Sequence, residues 1–235
     1  MRKFNVTGLC LAHKHYMVDI SGKLKQIMEM IDDGSYFTIN RARQYGKTTT
    51  LSLLRRTLPC EYTAVSISFE GLGNESFASP EAFCLVFMEL VQEALEFANV
   101  SDEYKESWLD SQVATFKALG GHITKMCKGK KLVLMIDEVD KTSNNQVFLH
   151  FLGMLRSKYL RSEDGMDSTF HSVILAGVYN SPWNIAADFE VDMSFGPAEI
   201  ATMLSQYEAD HGTGMDIPVK RTKQTSQRRP AARRC

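Results

Sequence analysis

The sequence predicts an α/β domain in which a mainly parallel central sheet lies between two layers of helices. Two observations predict it. Short apolar runs of strand length alternate along the chain with longer stretches of helical periodicity. Two of the runs, "LVLMI" at 132–136 and "SVILAGVY" at 172–179, are apolar without alternation, as strands covered on both faces are. Strand-helix alternation of this kind closes into an open sheet through right-handed crossovers.

In chain order, Ile20, Leu24, Ile27 and Ile31 recur at helical spacing behind an Asp19 cap, and Asp33-Gly34 stops that helix. "YFTIN", 36–40, is a short β-rich strand. From Lys47 the chain reads as helix through "TTTLSLLRRTL" up to Pro59. Glu61 to Gly71 alternates Val65, Ile67 and Phe69 and predicts a second strand. Two helices follow, one from Ser79-Pro80 to about Phe97 and one from Ser101 to about Cys127, with Ser-Pro and Ser-Asp as start signals. After the turn "KGKK" comes the third strand. Gln146 to Leu160 is an amphipathic helix, Phe170 to Asn180 a buried strand, "FEVDMSF" at 189–195 a last short strand, and Pro197 to Tyr207 a last helix with proline in its first turn.

Composition narrows the class. With 44% hydrophobic and 23% charged residues the body reads as an ordinary globular domain, and no apolar run approaches the ~20 residues of a membrane helix. The N-terminus lacks the apolar core of a signal peptide, so the expected compartment is the cytoplasm, with no membrane partner. Five scattered cysteines, an odd number without a Cys-x-x-Cys pair, predict neither a disulfide framework nor a zinc ribbon. The formal charge of -1 hides an asymmetry: 218–235 carries seven Lys/Arg and no acid, which leaves the preceding body near -8. The expected organisation is one domain over 1–217 and a basic, disordered tail over 218–235.

The stretch "NRARQYGKTTT" joins the first strand to its helix and ends in Gly46-Lys47-Thr48. A phosphate-binding loop needs backbone N–H groups and a helix N-terminus around the β- and γ-phosphates, a lysine on the same oxygens, and a hydroxyl for Mg²⁺. Arg41, Ala42, Arg43, Gln44, Tyr45, Gly46, Lys47, Thr48 and Thr49 are the candidate nucleotide-binding residues. A bare Gly-Lys-Thr equally suits a solvated helix start; the third strand decides between the two. It ends in Asp137-Glu138, ninety residues after Lys47, at the edge where open α/β sheets bind ligands. An acid in the first position orients Mg²⁺ with Thr48, and one in the second activates water. The loop and these acids make up Walker A and Walker B segments. Asn180, past the fourth strand, is a candidate for holding water or the γ-phosphate, so the catalytic set is Glu138, Lys47 and Asn180 and the metal set Thr48 and Asp137. No Asn-Lys-x-Asp guanine reader occurs, which favours ATP. The expected fold is that of a P-loop NTPase, with ATP and Mg²⁺ as cofactors.

"YFTINRARQYGKTTTLSLL", "AVSISFEG", "LVLMIDEVDK" and "SVILAGVY" resemble the bacterial AAA-ATPase-like proteins, P-loop ATPases often fused to a C-terminal nuclease-like domain of the PD-(D/E)xK type. The family loop commonly reads Arg-Pro-Arg-Arg-Phe-Gly-Lys-Ser/Thr. Arg41 therefore stands in the family's own first position and Arg43 matches its second arginine, while Ala42 and Gln44 depart from it. "KHYMVDIS", 14–21, is similar to the Tyr-Val-Asp segment before the family's first helix, and Tyr16 and Val18 are readable either as packing on adenine or as core. Three departures stand out. Asn180 runs directly into "SPWN" where the family has a longer stretch, the helical lid and nuclease-like domain do not follow, and the basic tail matches nothing in the family. The resemblance implies an ATP-hydrolysing domain; the missing lid favours instead a nucleotide-dependent switch or scaffold with little hydrolysis.

Other groups have plainer readings. Cys10, His13 and His15 are three soft ligands without a fourth, Glu70 is a loop carboxylate near the site, and Met28, Met30 and Met154 are core filler. Arg55 and Arg56 suit helix solvation or a neighbouring subunit. The basic tail suits solvent, a nucleic acid or an acidic partner surface.

Overall fold

The computed structural model describes residues 2–5, 10–40, 47–98, 100–109, 113–139, 145–177, 189–192, 195–215 and 217, and of Asn40, Lys47, Thr48 and 189–192 the backbone alone. The elements run α1 (Ser21–Asp32), β1 (Tyr36–Asn40), α2 (Lys47–Thr57), β2 (Tyr62–Ser68), a 3₁₀ turn (Asn74–Phe77), α3 (Pro80–Leu95), α4 (Asp102–Glu106), α5 (Phe116–Cys127), β3 (Lys131–Asp137), α6 (Gln146–Glu163), β4 (Ser172–Gly177), β5 (Phe189–Asp192) and α7 (Pro197–His211). The chain divides into two compact units, one of 6–10 and 21–194, the other of 1–5, 11–20 and 195–235.

The larger unit is built on a sheet of order β2-β3-β4-β1-β5, every pair parallel. Successive residues of a strand face opposite ways, and β3 uses both sides. Leu132, Leu134 and Ile136 join a core with α3, α5 and α6, which includes Phe83, Phe87, Phe148 and Phe151. Val133 and Met135 join the opposite core with Ile27 and Ile31 of α1 and Leu51 and Leu54 of α2. The unbroken apolar run 132–136 within β3 is thereby explained: both faces are dry.

Local signals place the helix ends. α1 stops at Gly34, whose φ of 70° suits glycine and whose missing Cβ leaves room for the His171 carbonyl, which a Cβ would meet at 3.3 Å. Ser79 caps α3 by accepting from Ala82 N–H, with Pro80 at the first position. The single helix expected over 101–127 is instead two. Ser101 caps α4 and Thr115 caps α5 through Tyr104 N–H and Ala118 N–H. Between them Trp108, fully buried, and Val113 turn inward, and burying that indole outweighs continuing the helix. Of the fourth strand, expected over 170–180, Ser172–Gly177 is described, and 178–180 lie outside the described residues.

In the smaller unit, Lys3 bridges His15 in parallel and Tyr16 N–H donates to the Lys3 carbonyl. α7 binds this segment: Gln206 bonds both the N–H and the carbonyl of Met17, Thr202 accepts from Asp19 N–H, and Arg2 pairs with Asp210 at 2.7 Å. Tyr16 is buried against Phe4 and Tyr207, and its hydroxyl donates to Asp210. Burial first, and the Asp210 bond second, raise its pKa.

Candidate functional site

The register of the sheet gathers the predicted site at one edge. Thr38, Leu175, Ile136 and Ile67 lie in one row across β1, β4, β3 and β2. Asp137 and Ser68 follow one residue further toward the carboxyl edge, and Asn40 and Gly177 two. β1 therefore ends, at Asn40, at the edge where β3 delivers its acids, with one strand, β4, between. At the usual strand spacing that is a lateral separation of about 10 Å. β1 is also where the connections diverge, since the chain leaves it toward β2 on one side and β5 lies on the other; such a switch point opens a crevice at the carboxyl ends. α2 begins at Lys47, so its N-terminal N–H groups and positive dipole end face the same edge.

Asp137 is 6% exposed and accepts Glu138 N–H at Oδ1, 2.9 Å away. Its carbonyl accepts from Phe69 N–H at 3.2 Å, so β2 holds β3 to its last residue. Among the described residues Glu138 is the only non-glycine with positive φ, at 58°. For a side-chain-bearing residue that conformation costs about 1–2 kcal/mol, and it turns Glu138 abruptly off the strand axis. Glu138 is half-buried, and Val139 behind it returns to the core at 2% exposure.

A model of the AAA-like domain matches residues 8–213, which is most of the chain. The chain belongs to the AAA-like domain family. No curated protein matches it. Among solved structures, the AAA-like domain is similar to a Walker-type ATPase of Pyrococcus abyssi at 12% identity and a TM-score of 0.55, with 92% of this chain and 63% of that one covered. It is also similar to the ORC2 protein of Aeropyrum pernix, solved in ADPNP and ADP complexes, at 12% identity and a TM-score of 0.46, covering 87% and 54%. The chain thus spans less than two thirds of either protein. At such identities the likeness is one of fold, and that to the Walker-type ATPase agrees with the parallel three-layer P-loop architecture.

Of the predicted site residues in this AAA-like domain, Asp137 and Glu138 are placed fully. Lys47 and Thr48 are placed as the backbone that opens α2, and Arg41 to Gly46 and Asn180 lie outside the described residues, as does 218–235. Thr49 is buried and its hydroxyl accepts from Cys10 N–H at 3.1 Å, so the helix that follows the loop also anchors the N-terminal segment. Cys10, His13 and His15 form no metal cluster: none exists among the described residues, and His15 Nδ1 accepts from Leu11 N–H. Tyr16 is a core residue of the smaller unit. Glu70 is an exposed loop residue whose N–H donates to Ser68 Oγ. Arg55 and Arg56 are exposed at the far end of α2, with Arg55 over the Phe97 ring at 5.8 Å.

The reading from sequence missed a buried charged group at the opposite edge. Lys158 Nζ lies 3.0 Å from both carboxylate oxygens of Asp167 and 2.7 Å from Thr124 Oγ1, while Thr124 and Ser168 N–H also donate to Asp167. Both charged side chains are under 9% exposed. Burial pushes the Asp167 carboxyl up, and the bonds from Thr124, Lys158 and Ser168 outweigh it, so it sits below the usual carboxylate range. A signal was present: Phe151, Leu155 and Lys158 share one face of α6, so the periodicity puts this lysine on the apolar stripe.

Proposed function

We propose that the chain binds ATP with Mg²⁺ and hydrolyses it to ADP and phosphate. The observation that carries the reading is Asp137-Glu138 at the carboxyl edge of β3, one strand from the β1-loop-α2 junction. Membership of the AAA-like domain family supports nucleotide binding. Amides of 41–46 and the Lys47 ammonium hold the phosphates, and Arg41, at the start of the loop, adds positive charge beside them. The donors fit Mg²⁺: Asp137 is a hard carboxylate already fixed in direction by its own hydrogen bond, and Thr48 supplies a hydroxyl. When bound, the ion neutralises charge on the β- and γ-oxygens.

Glu138 takes a proton from water as the water oxygen bonds to the γ-phosphorus. The bond between that phosphorus and the β–γ bridging oxygen breaks, and the electron pair leaves with ADP. Asn180 orients the water or the γ-phosphate. No described helix is long and apolar enough to cross a membrane. A cytoplasmic setting, self-association, a protein partner, contact of the basic tail with nucleic acid and kinship with nuclease-fused ATPases belong to the same proposal and rest on the sequence.

Calorimetry with Mg-ATP and phosphate release, measured on one preparation of the intact chain and of Glu138→Gln, test it. The expected result is binding by both and a turnover about 10²–10⁴-fold lower in the variant. Equal turnover removes Glu138 from the mechanism. Tight binding without phosphate release from either replaces hydrolysis with a nucleotide-dependent switch.

A further inference from the structure

A parallel sheet sorts helix ends as well as strand ends. Each crossover helix returns the chain from the carboxyl edge to the amino edge, so helix C-termini gather opposite the proposed nucleotide edge. In the larger unit α1 ends at Asp32, α5 at Cys127 and α6 at Glu163, ahead of β1, β3 and β4 respectively. Residues from all three ends line a cavity of about 290 Å³, at the small end of ligand sites.

The charge of this cavity is one-sided. Each helix C-terminus carries roughly half a negative charge, and Asp32, Asp33 and Glu163 add carboxylates at the wall. The lysine of the wall, Lys130, is turned elsewhere, with its ammonium 4.5 Å from the centroid of the Tyr104 ring. Lys158 and Arg161 both go to Asp167, so neither answers these acids. The wall also includes His171, whose Nε2 is shielded from solvent and has no hydrogen-bond partner among the described residues. Unprotonated, such an orphan accepts an N–H.

The shape of the ligand follows from where the acids come from. α1 packs in the core on one face of the sheet and α6 in the core on the other, so their carboxylates approach the cavity from opposite sides. Among the described residues no three His, Cys, Asp or Glu side chains are placed to hold a metal ion. A compact cation is therefore the wrong shape, and one with separated charges fits.

We infer that the cavity at the amino edge binds a linear aliphatic diamine or polyamine. One ammonium lies at Asp32-Asp33, another at Glu163, and the methylenes between them lie against Tyr159. An occupant ties the end of α1 to the end of α6 and stabilises the folded chain by its binding free energy, away from the nucleotide edge.

Calorimetry on the intact chain, free of nucleotide and at fixed ionic strength, tests this with putrescine, butylamine and magnesium chloride. Putrescine should bind at one site, about fivefold or more tightly than butylamine, which offers a single ammonium, and magnesium should not displace it. Asp33→Asn and Glu163→Gln, both at exposed positions, should each weaken putrescine about fivefold, whereas Glu138→Gln should leave it unchanged. The His171 ring signals in ¹H–¹⁵N NMR should move when putrescine is added, which places the ligand without any substitution. Absence of putrescine binding, equal affinity for butylamine, displacement by magnesium, an unmoved His171 ring, or binding that survives both amino-edge substitutions overturns the site.

Discussion

The two edges of the sheet use the same kinds of residue for opposite ends. At the amino edge, Lys158, Asp167 and Thr124 form a buried group in which the ammonium and the carboxylate are bonded several times over. At the carboxyl edge, Asp137 is buried beside a residue held in an unfavourable backbone conformation, and the lysine proposed to serve that edge opens a helix. A fully paired buried charge makes the loss of either partner costly to the fold, whereas a strained acid is held at the expense of stability and is informative about chemistry. The difference is between residues that hold the domain together and residues proposed to act.

Substitutions at each edge sharpen that separation. Lys158→Met leaves the Asp167 carboxylate buried without its ammonium and should cost about 3–5 kcal/mol in urea unfolding, while the double variant Lys158→Met/Asp167→Leu recovers most of it. Recovery by the double variant is what marks the pair as structural. Lys47→Met should do the reverse. It should weaken Mg-ATP binding by about 1.5–3 kcal/mol in calorimetry, for a lost charged hydrogen bond, with unfolding of the free chain changed by less than about 0.5 kcal/mol. A large loss of stability in Lys47→Met would blur the two edges into one role.

The smallest effect concerns acid. Asp167 has a folded pKa below its unfolded value of about 3.9, so the unfolded state binds its proton first. The stability it contributes is complete above the unfolded pKa and is lost as pH falls through the folded one. Unfolding free energy measured from pH 5 to pH 2 should therefore drop below about pH 4, and Asp167→Asn, itself less stable at neutral pH, should show a shallower drop. An unchanged slope would mean that other carboxylates set the acid limit.

Much of the fold was legible because its signals are local. Ser79-Pro80 and Gly34 end or begin helices through their own backbone preferences, and the apolar run 132–136 announced a strand with two covered faces. The Asp137-Glu138 pair was legible for the same reason: two acids directly after such a strand can lie only at its carboxyl end. The break between α4 and α5 was not, because "DSQVATF" carries no proline, and Thr115 becomes a cap only once Trp108 has a core to enter.

By itself, then, the sequence determined the elements, the parallel class of the sheet and the two segments that bear the proposed chemistry, since periodicity, caps and loop composition act within a few residues. Only the tertiary structure decided that β4 lies between β1 and β3, that Lys158 meets Asp167 and Thr124, that Thr49 receives Cys10 N–H, and that Glu138 adopts a left-handed turn. Each of these depends on which distant groups the crossovers bring together, and on how packing on both sides of a residue limits the conformations left to it.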